Sequence, residues 1–191
     1  MRKELQASVA RMREATEELF ESNPFVVFLC GPTLDDVLTK PSSALRGKVQ
    51  DLLVSEGFEV VLGEDDGLEE LRKEFSGLAH ENELSFIQQE SSAVLLIADS
   101  VGSYCELGLF SHQHYTNNPN QVDFILLMDK KYKGVESYLN EGPAKAIDIM
   151  GGKVFHDDFS AFDLNPVLER LKARRSVYLT HGRGRPKGSG K

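Results

Sequence analysis

The chain has 191 residues, 40% of them hydrophobic, with 22 Lys and Arg against 30 Asp and Glu and a net charge of −8. That is enough to close one core, and no apolar run approaches the roughly 18 residues that a membrane-spanning helix needs. The opening Met1-Arg-Lys-Glu-Leu-Gln lacks the apolar segment of a secretory signal, and only two cysteines are present, Cys30 and Cys105, which suits a reducing compartment. The expectation is a cytoplasmic protein with no membrane contact.

The charge is uneven. Seven of the Lys and Arg fall in residues 172–191, where there is no acid, leaving residues 1–171 with 15 basic and 30 acidic side chains, or −15. An acidic body repels nucleic acid, so any DNA contact is expected through the tail.

In chain order, residues 4–21 read as a helix, because Leu5, Val9, Met12, Thr16 and Leu19 recur at steps of four and three. This stripe either packs on the domain's own core or serves docking and homo-oligomer formation. Asn23-Pro24 ends it. Phe25 to Cys30 is an unbroken apolar run, as a parallel strand covered on both faces requires. It stops at Gly31-Pro32-Thr33, where Thr33-Leu-Asp-Asp reads as a loop-to-helix start. Residues 42–56 form a helix with Leu45, Val49, Leu52 and Leu53 on one face and Gly57 as its stop. Residues 58–62 are a second strand, closed by the acidic loop Gly63-Glu64-Asp65-Asp66-Gly67. A helical stretch over 68–90, interrupted near Gly77, leads to a third strand over 93–98. A helix over 104–115 follows, then the turn cluster Asn117-Asn-Pro-Asn120 and a fourth strand over 122–128. Two short helical pieces flank Gly142-Pro143, Lys153 to His156 is a fifth strand, and residues 165–174 are a final helix. Strand and helix alternate, which predicts an α/β three-layer sandwich with a parallel, flavodoxin-like sheet. Three parts are expected: an N-terminal helix (1–23), the α/β domain (24–175) and a basic, disordered tail (176–191).

The segment richest in chemistry is Ala93-Val-Leu-Leu-Ile-Ala-Asp99 followed by Ser-Val-Gly102-Ser103-Tyr-Cys-Glu106-Leu-Gly108. It carries Asp99 and Glu106 across the carboxyl end of a strand, where open α/β sheets bind ligands. Gly31-Pro32-Thr33 and Glu64-Asp65-Asp66 end the neighbouring strands, so several polar groups converge on one rim. Such a rim suits cleavage of an N-glycosidic bond, in which a carboxylate traps or stabilises the cationic anomeric carbon. A helix N-terminus would keep Glu106 ionised for that task. The competing reading makes Ser103 and Glu106 a capping box, with the glutamate merely closing the helix start. Arg46 and Arg72 could meet a phosphate but read more simply as solvated helix residues, His112 and His114 fall on different faces, and no metal pair or phosphate-binding loop is expected.

Phe28-Leu-Cys-Gly-Pro32, Glu81-Asn-Glu83-Leu-Ser-Phe-Ile87 and Asp99 through Gly102-Ser103-Tyr-Cys-Glu106-Leu-Gly108 resemble three successive motifs of the nucleoside 2-deoxyribosyltransferases. The resemblance implies that Glu106 is the nucleophile on C1′, with Asp99 orienting it or holding a sugar hydroxyl. It also implies that Glu83 meets the base, and that Gly31, Pro32, Thr33, Gly102 and Ser103 shape the substrate site. Three departures stand out: Glu83 where the family usually has Asp, Val101 where it often has Asp, and Phe28 at a tyrosine position. Together they point to a divergent hydrolase rather than a base-exchange enzyme. The chain is also similar to the deoxyribosyltransferase-like effectors of retron anti-phage systems. That implies a toxin acting on a nucleotide, nucleoside or NAD, without metal or cofactor, and restrained by a reverse transcriptase with its RNA–DNA product. A non-catalytic nucleotide-sensing or adaptor domain, joined to a nucleoprotein through its first helix and its tail, is the alternative.

In the tail, Arg183-Gly-Arg185-Pro186-Lys187 resembles an AT-hook core, whose extended Arg-Gly-Arg lies in a narrow minor groove. A basic tail reading phosphates alone is the simpler reading. Removing residues 182–191 is expected to abolish DNA binding in a filter or anisotropy assay. Steep salt dependence with equal affinity for A·T-rich and G·C-rich duplexes would identify phosphate contacts, and A·T preference an AT-hook.

Overall fold

The computed structural model describes residues 2–64, 68, 73, 77–118 and 122–180. Five parallel strands form one sheet: β1 (Val26–Cys30), β2 (Glu59–Leu62), β3 (Ala93–Ala98), β4 (Asp123–Asp129) and β5 (Lys153–Asp157), in the order β2-β1-β3-β4-β5. This is the flavodoxin-like order expected from the sequence. The register runs Val27–Val60 and Val27–Ala93 about β1, Ala93–Asp123 between β3 and β4, and Ile125–Lys153 at the β5 edge.

The continuous apolar runs become strands because both faces of the sheet are covered. Every residue of β1 and β3 is buried, each large apolar side chain contributing about 1.5–3 kcal/mol. On one face Val27, Leu29, Leu95 and Ile97 meet Leu45, Val49 and Leu53 of α2 (Pro41–Ser55), and Val167, Leu168 and Leu171 of α6 (Asn165–Thr180). On the other, Phe28, Leu96 and Leu126 meet Ile87 of α3 (Ala79–Gln89), Leu107 and Phe110 of α4 (Val101–Thr116), and Ile147 of α5 (Lys145–Ile149). The expected three layers are present.

Four local features differ from the sequence pattern. The stretch about Gly142-Pro143 is continuous: a wide π turn over Asn140–Ala144 runs into α5 and accommodates the proline. Helix α4 begins three residues earlier than its apolar spacing suggests, at Val101. Helix α6 runs to Thr180, past residue 175 where the sequence pattern ends the domain. Helix α1 (Arg2–Ser22) does not bury its stripe: Leu5, Val9, Met12 and Leu19 are 66%, 58%, 68% and 40% exposed. Its far end is held instead, with Phe20 lying 4.6 Å from the Arg175 guanidinium and Phe25 edge-on to Tyr178. The break near Gly77 is observed, and Leu68 and Lys73 before it are helical. Residues 182–191 of the tail lie outside the described residues. Among the described residues no helix is long and apolar enough to cross a membrane.

Opposite the strands' carboxyl ends, the sheet is tied to α6 by charge. Asp123, 3% exposed, accepts from Arg170 Nε at 2.8 Å and Nη2 at 2.6 Å, with Arg174 at 3.1 Å. Asp123→Ala would leave Arg170 largely buried without its carboxylate. A loss of about 3–5 kcal/mol is expected in urea denaturation, with most of it recovered in Asp123→Leu/Arg170→Met.

Candidate functional site

A cleft of about 350 Å³ opens at the carboxyl ends of β1 and β2, and three elements bring glutamates to it. Glu64 follows β2, Glu83 lies in the second turn of α3, and Glu106 lies in the second turn of α4. Cys30 and Gly31 at the end of β1 supply one wall, with Leu68, Ala79 and Asn82 opposite. One glycine is required by space and one is closely approached. Gly31 sits at φ +153°, and a Cβ there would come within 3.1 Å of Ile97 Cβ and 3.2 Å of its carbonyl oxygen. A Cβ at Gly63 would come within 3.2 Å of Glu83 Oε1.

The cleft is fixed by one cation. Arg46, 2% exposed, is no solvated helix residue. Its Nη1 and Nη2 donate to the two carboxylate oxygens of Glu64 at 2.5 and 2.7 Å. The same nitrogens donate to the carbonyls of Pro32 at 3.1 Å and Leu29 at 2.8 Å. A guanidinium fork matches this arrangement, and a lysine could not serve all four acceptors. Arg46 therefore ties α2, the end of β1 and the loop after β2 into one wall.

Glu106 is not a cap. Ser100 occupies the N-cap of α4, its hydroxyl accepting from Ser103 N at 3.1 Å, while Ser103 Oγ accepts from Ser100 N at 2.8 Å. With the helix start satisfied by two serines, Glu106 lies one turn further on and faces the cleft. Its Oε2 is buried without a hydrogen-bond partner among the described residues, as are Arg46 Nε and Asn82 Nδ2 on the same cleft. Buried polar atoms are rarely left so, and three on one cleft call for water or a polar ligand there.

The electrostatics correct a second expectation. The helix start does not hold Glu106 ionised. Burial pushes its carboxyl up to about 7, Glu83 and Glu64 add to the rise, and Arg46 opposes it. Glu83 is also raised, by burial first and by Glu64, against the pull of His80. The Cys30 thiol is held well above its ordinary value by burial and then by Glu106 and Glu83. Two carboxyls that resist ionisation in one cleft can divide the roles of an acid–base pair.

The other residues singled out from the sequence divide. Gly31, Glu83 and Glu106 meet at the cleft. Pro32 is buried, with its carbonyl engaged by Arg46, and Thr33 is exposed and accepts from Asp35 N. Gly102 is exposed with open space about it. Ser103 is spent on the helix cap, so neither it nor Gly102 lines the cleft. Asp99 is also outside the lining and lies 3.8 Å from Lys131. Cys30 is buried and Cys105 exposed, so only the first reaches the cleft. His114 is buried and His112 exposed, on different faces as expected. Asp65, Asp66, Arg72, Arg183, Arg185 and Lys187 lie outside the described residues. Arg46, Asn82, Leu68 and Ala79 are the lining residues that sequence reasoning did not assign. The apolar face of α2 was a usable signal for Arg46, since Arg46 directly follows Leu45 and precedes Val49 by three.

The raised Glu106 sets a pH dependence of stability. Folding favours its protonated form, so the penalty is absent below pH 4, grows between its ordinary 4.5 and about 7, and is complete above that. Glu106→Gln is expected to stabilise the fold by about 2–3 kcal/mol at pH 8 and to leave it unchanged at pH 4. Urea denaturation at the two pH values reads the difference.

No curated protein matches the chain. The sequence model of the STM3845 retron effector protein family matches residues 55–181, which take in Glu64, Glu83 and Glu106. The match begins where α2 ends, after Cys30, Gly31 and Arg46. It covers about two thirds of the 191 residues, and the chain belongs to the STM3845 retron effector protein family.

Proposed function

We propose that this retron effector is an N-glycosidase that cleaves the bond between sugar and base in a nucleoside, a nucleotide or NAD, in the manner of a divergent deoxyribosyltransferase. The observation that carries the reading is the placement of Glu106: released from capping by Ser100 and Ser103, it faces a cleft that it shares with Glu83. An ionised Glu106 attacks C1′ and forms a glycosyl ester, while the C1′–N bond breaks and its electron pair passes to the base nitrogen. Glu83, whose carboxyl burial raises above its ordinary value, supplies a proton to the departing base. Water then attacks C1′ and gives its proton to Glu83, and Glu106 leaves as the carboxylate. No metal is needed for this sequence.

Arg46 is a positioning residue. It is occupied by Glu64 and two carbonyls, and it lowers the carboxyl of Glu106 against the effect of burial. With three glutamates to one arginine, the inner cleft suits sugar and base, and phosphate groups are better left at its mouth. As an anti-phage effector the protein would be restrained by the retron reverse transcriptase with its RNA–DNA product. Arg183, Arg185 and Lys187 of the tail are the residues offered for the nucleic-acid contact.

Mass spectrometry of a mixed pool of NAD, nucleotides and deoxynucleotides, incubated with the protein alone and with its retron partners, tests the reading. A free base is expected from the parent, with a rate that depends on both carboxyls, rising as Glu106 ionises about pH 7 and limited by the fraction of Glu83 that still holds its proton. Glu106→Gln is expected to lose at least about a thousandfold. No base release under either condition, or equal release by the variant, would remove the glycosidase reading and favour a binding domain.

A further inference from the structure

Helix α1 presents an apolar stripe with nothing against it among the described residues, and its charges are sorted by position. Residues 2–13 hold Arg2, Lys3, Arg11 and Arg13 with the single acid Glu4, whereas residues 14–22 hold Glu14, Glu17, Glu18 and Glu21 with no base. This order opposes the helix's own dipole, which favours acids at the N-terminus and bases at the C-terminus. Within the helix the order is answered only where the halves meet, Arg13 Nε donating to Glu17 Oε1 at 3.0 Å among the described residues. A second α1 running the other way reverses the balance: it sets each basic half beside an acidic half and each dipole beside its opposite. A parallel pair would set like against like. The stripe permits the pairing, since Leu5, Val9, Met12, Thr16 and Leu19 keep the a/d spacing over the helix, and all five are exposed.

We propose that two copies of the chain associate through α1, antiparallel, with the stripe as the seam. This is independent of the glycosidase reading. The helix is about 30 Å long at 1.5 Å per residue, and its C-terminal end is fixed to the α/β body by Phe20 on Arg175. The two bodies therefore sit at opposite ends of the paired rod, and both clefts stay open. The seam is short, so the dimer is expected to form at about 10–100 µM rather than at nanomolar concentration.

Sedimentation of the full chain across that range is expected to show a monomer–dimer equilibrium. Met12→Glu puts a charge in the seam and is expected to weaken association at least about tenfold. Its thermal unfolding should match the parent, because Met12 is 68% exposed and touches no core. For orientation, in a Cys105→Ser background, Leu5→Cys is expected to form a disulfide with a Thr16→Cys copy on mixing and little with itself. A monomer at every concentration, a dimer that survives Met12→Glu, or dominant Leu5→Cys self-crosslinking would each overturn the proposal. So would burial of the stripe only when the retron partners are added.

Discussion

The Arg46–Glu64 pair is the constraint on which the site depends. A guanidinium 2% exposed has to be neutralised, because an unpaired charge at that depth costs several kcal/mol. Glu64 answers the charge, the carbonyls of Leu29 and Pro32 take further donors of the two Nη groups, and Nε is left facing the cleft without a partner among the described residues. The loop after β2 is thereby drawn over the end of β1, and the space left between that loop, α3 and α4 is the cleft. Gly31 is a glycine for the same reason: it lies at a positive φ where the end of β1 meets Ile97 too closely for a side chain.

The cleft that results is rich in carboxyls. Glu106 and Glu83 are each pushed towards the neutral form chiefly by burial, and each carboxylate in the group makes its neighbours harder to ionise. Arg46 contributes the opposing field but is already committed to Glu64, so it tempers Glu106 without neutralising it. The balance leaves a group that titrates near neutrality, where modest changes on ligand binding are enough to move a proton. That is a property of the assembly of α2, α3, α4 and the β2 loop, and no one segment carries it.

Much of the fold was legible because a parallel sheet covered on both faces writes its strands as unbroken apolar runs. Val26–Cys30, Ala93–Ala98 and Asp123–Asp129 fall within a residue of the runs that announce them. Glu106 was legible as a candidate from its place after the third strand, and Glu83 through the resemblance to the deoxyribosyltransferase motifs. What stayed hidden was decided by tertiary contacts. Arg46 carries the side chain most typical of a solvated helix face, and its partner Glu64 lies 18 positions away, beyond a strand. The start of α4 was misread because Val101 and Gly102 are weak helix formers, and the Ser100–Ser103 pair overrides that preference. Asp99 shares the motif with Glu106 but ends the strand on the Lys131 side, which sequence proximity does not disclose. The α1 stripe has the spacing of a packed helix, and only its surroundings show that nothing in the same chain covers it.

The two cysteines offer a practical consequence of how α4 is turned. Cys105 immediately precedes Glu106 yet is exposed, while Cys30, the other thiol, is buried in the wall of the cleft. A thiol-reactive fluorophore added to the native protein would therefore find a single address, one peptide bond from the proposed nucleophile but pointing into solvent. Wild-type protein carries its own attachment point for an optical reporter of whatever enters the site, with no engineered residue in the way.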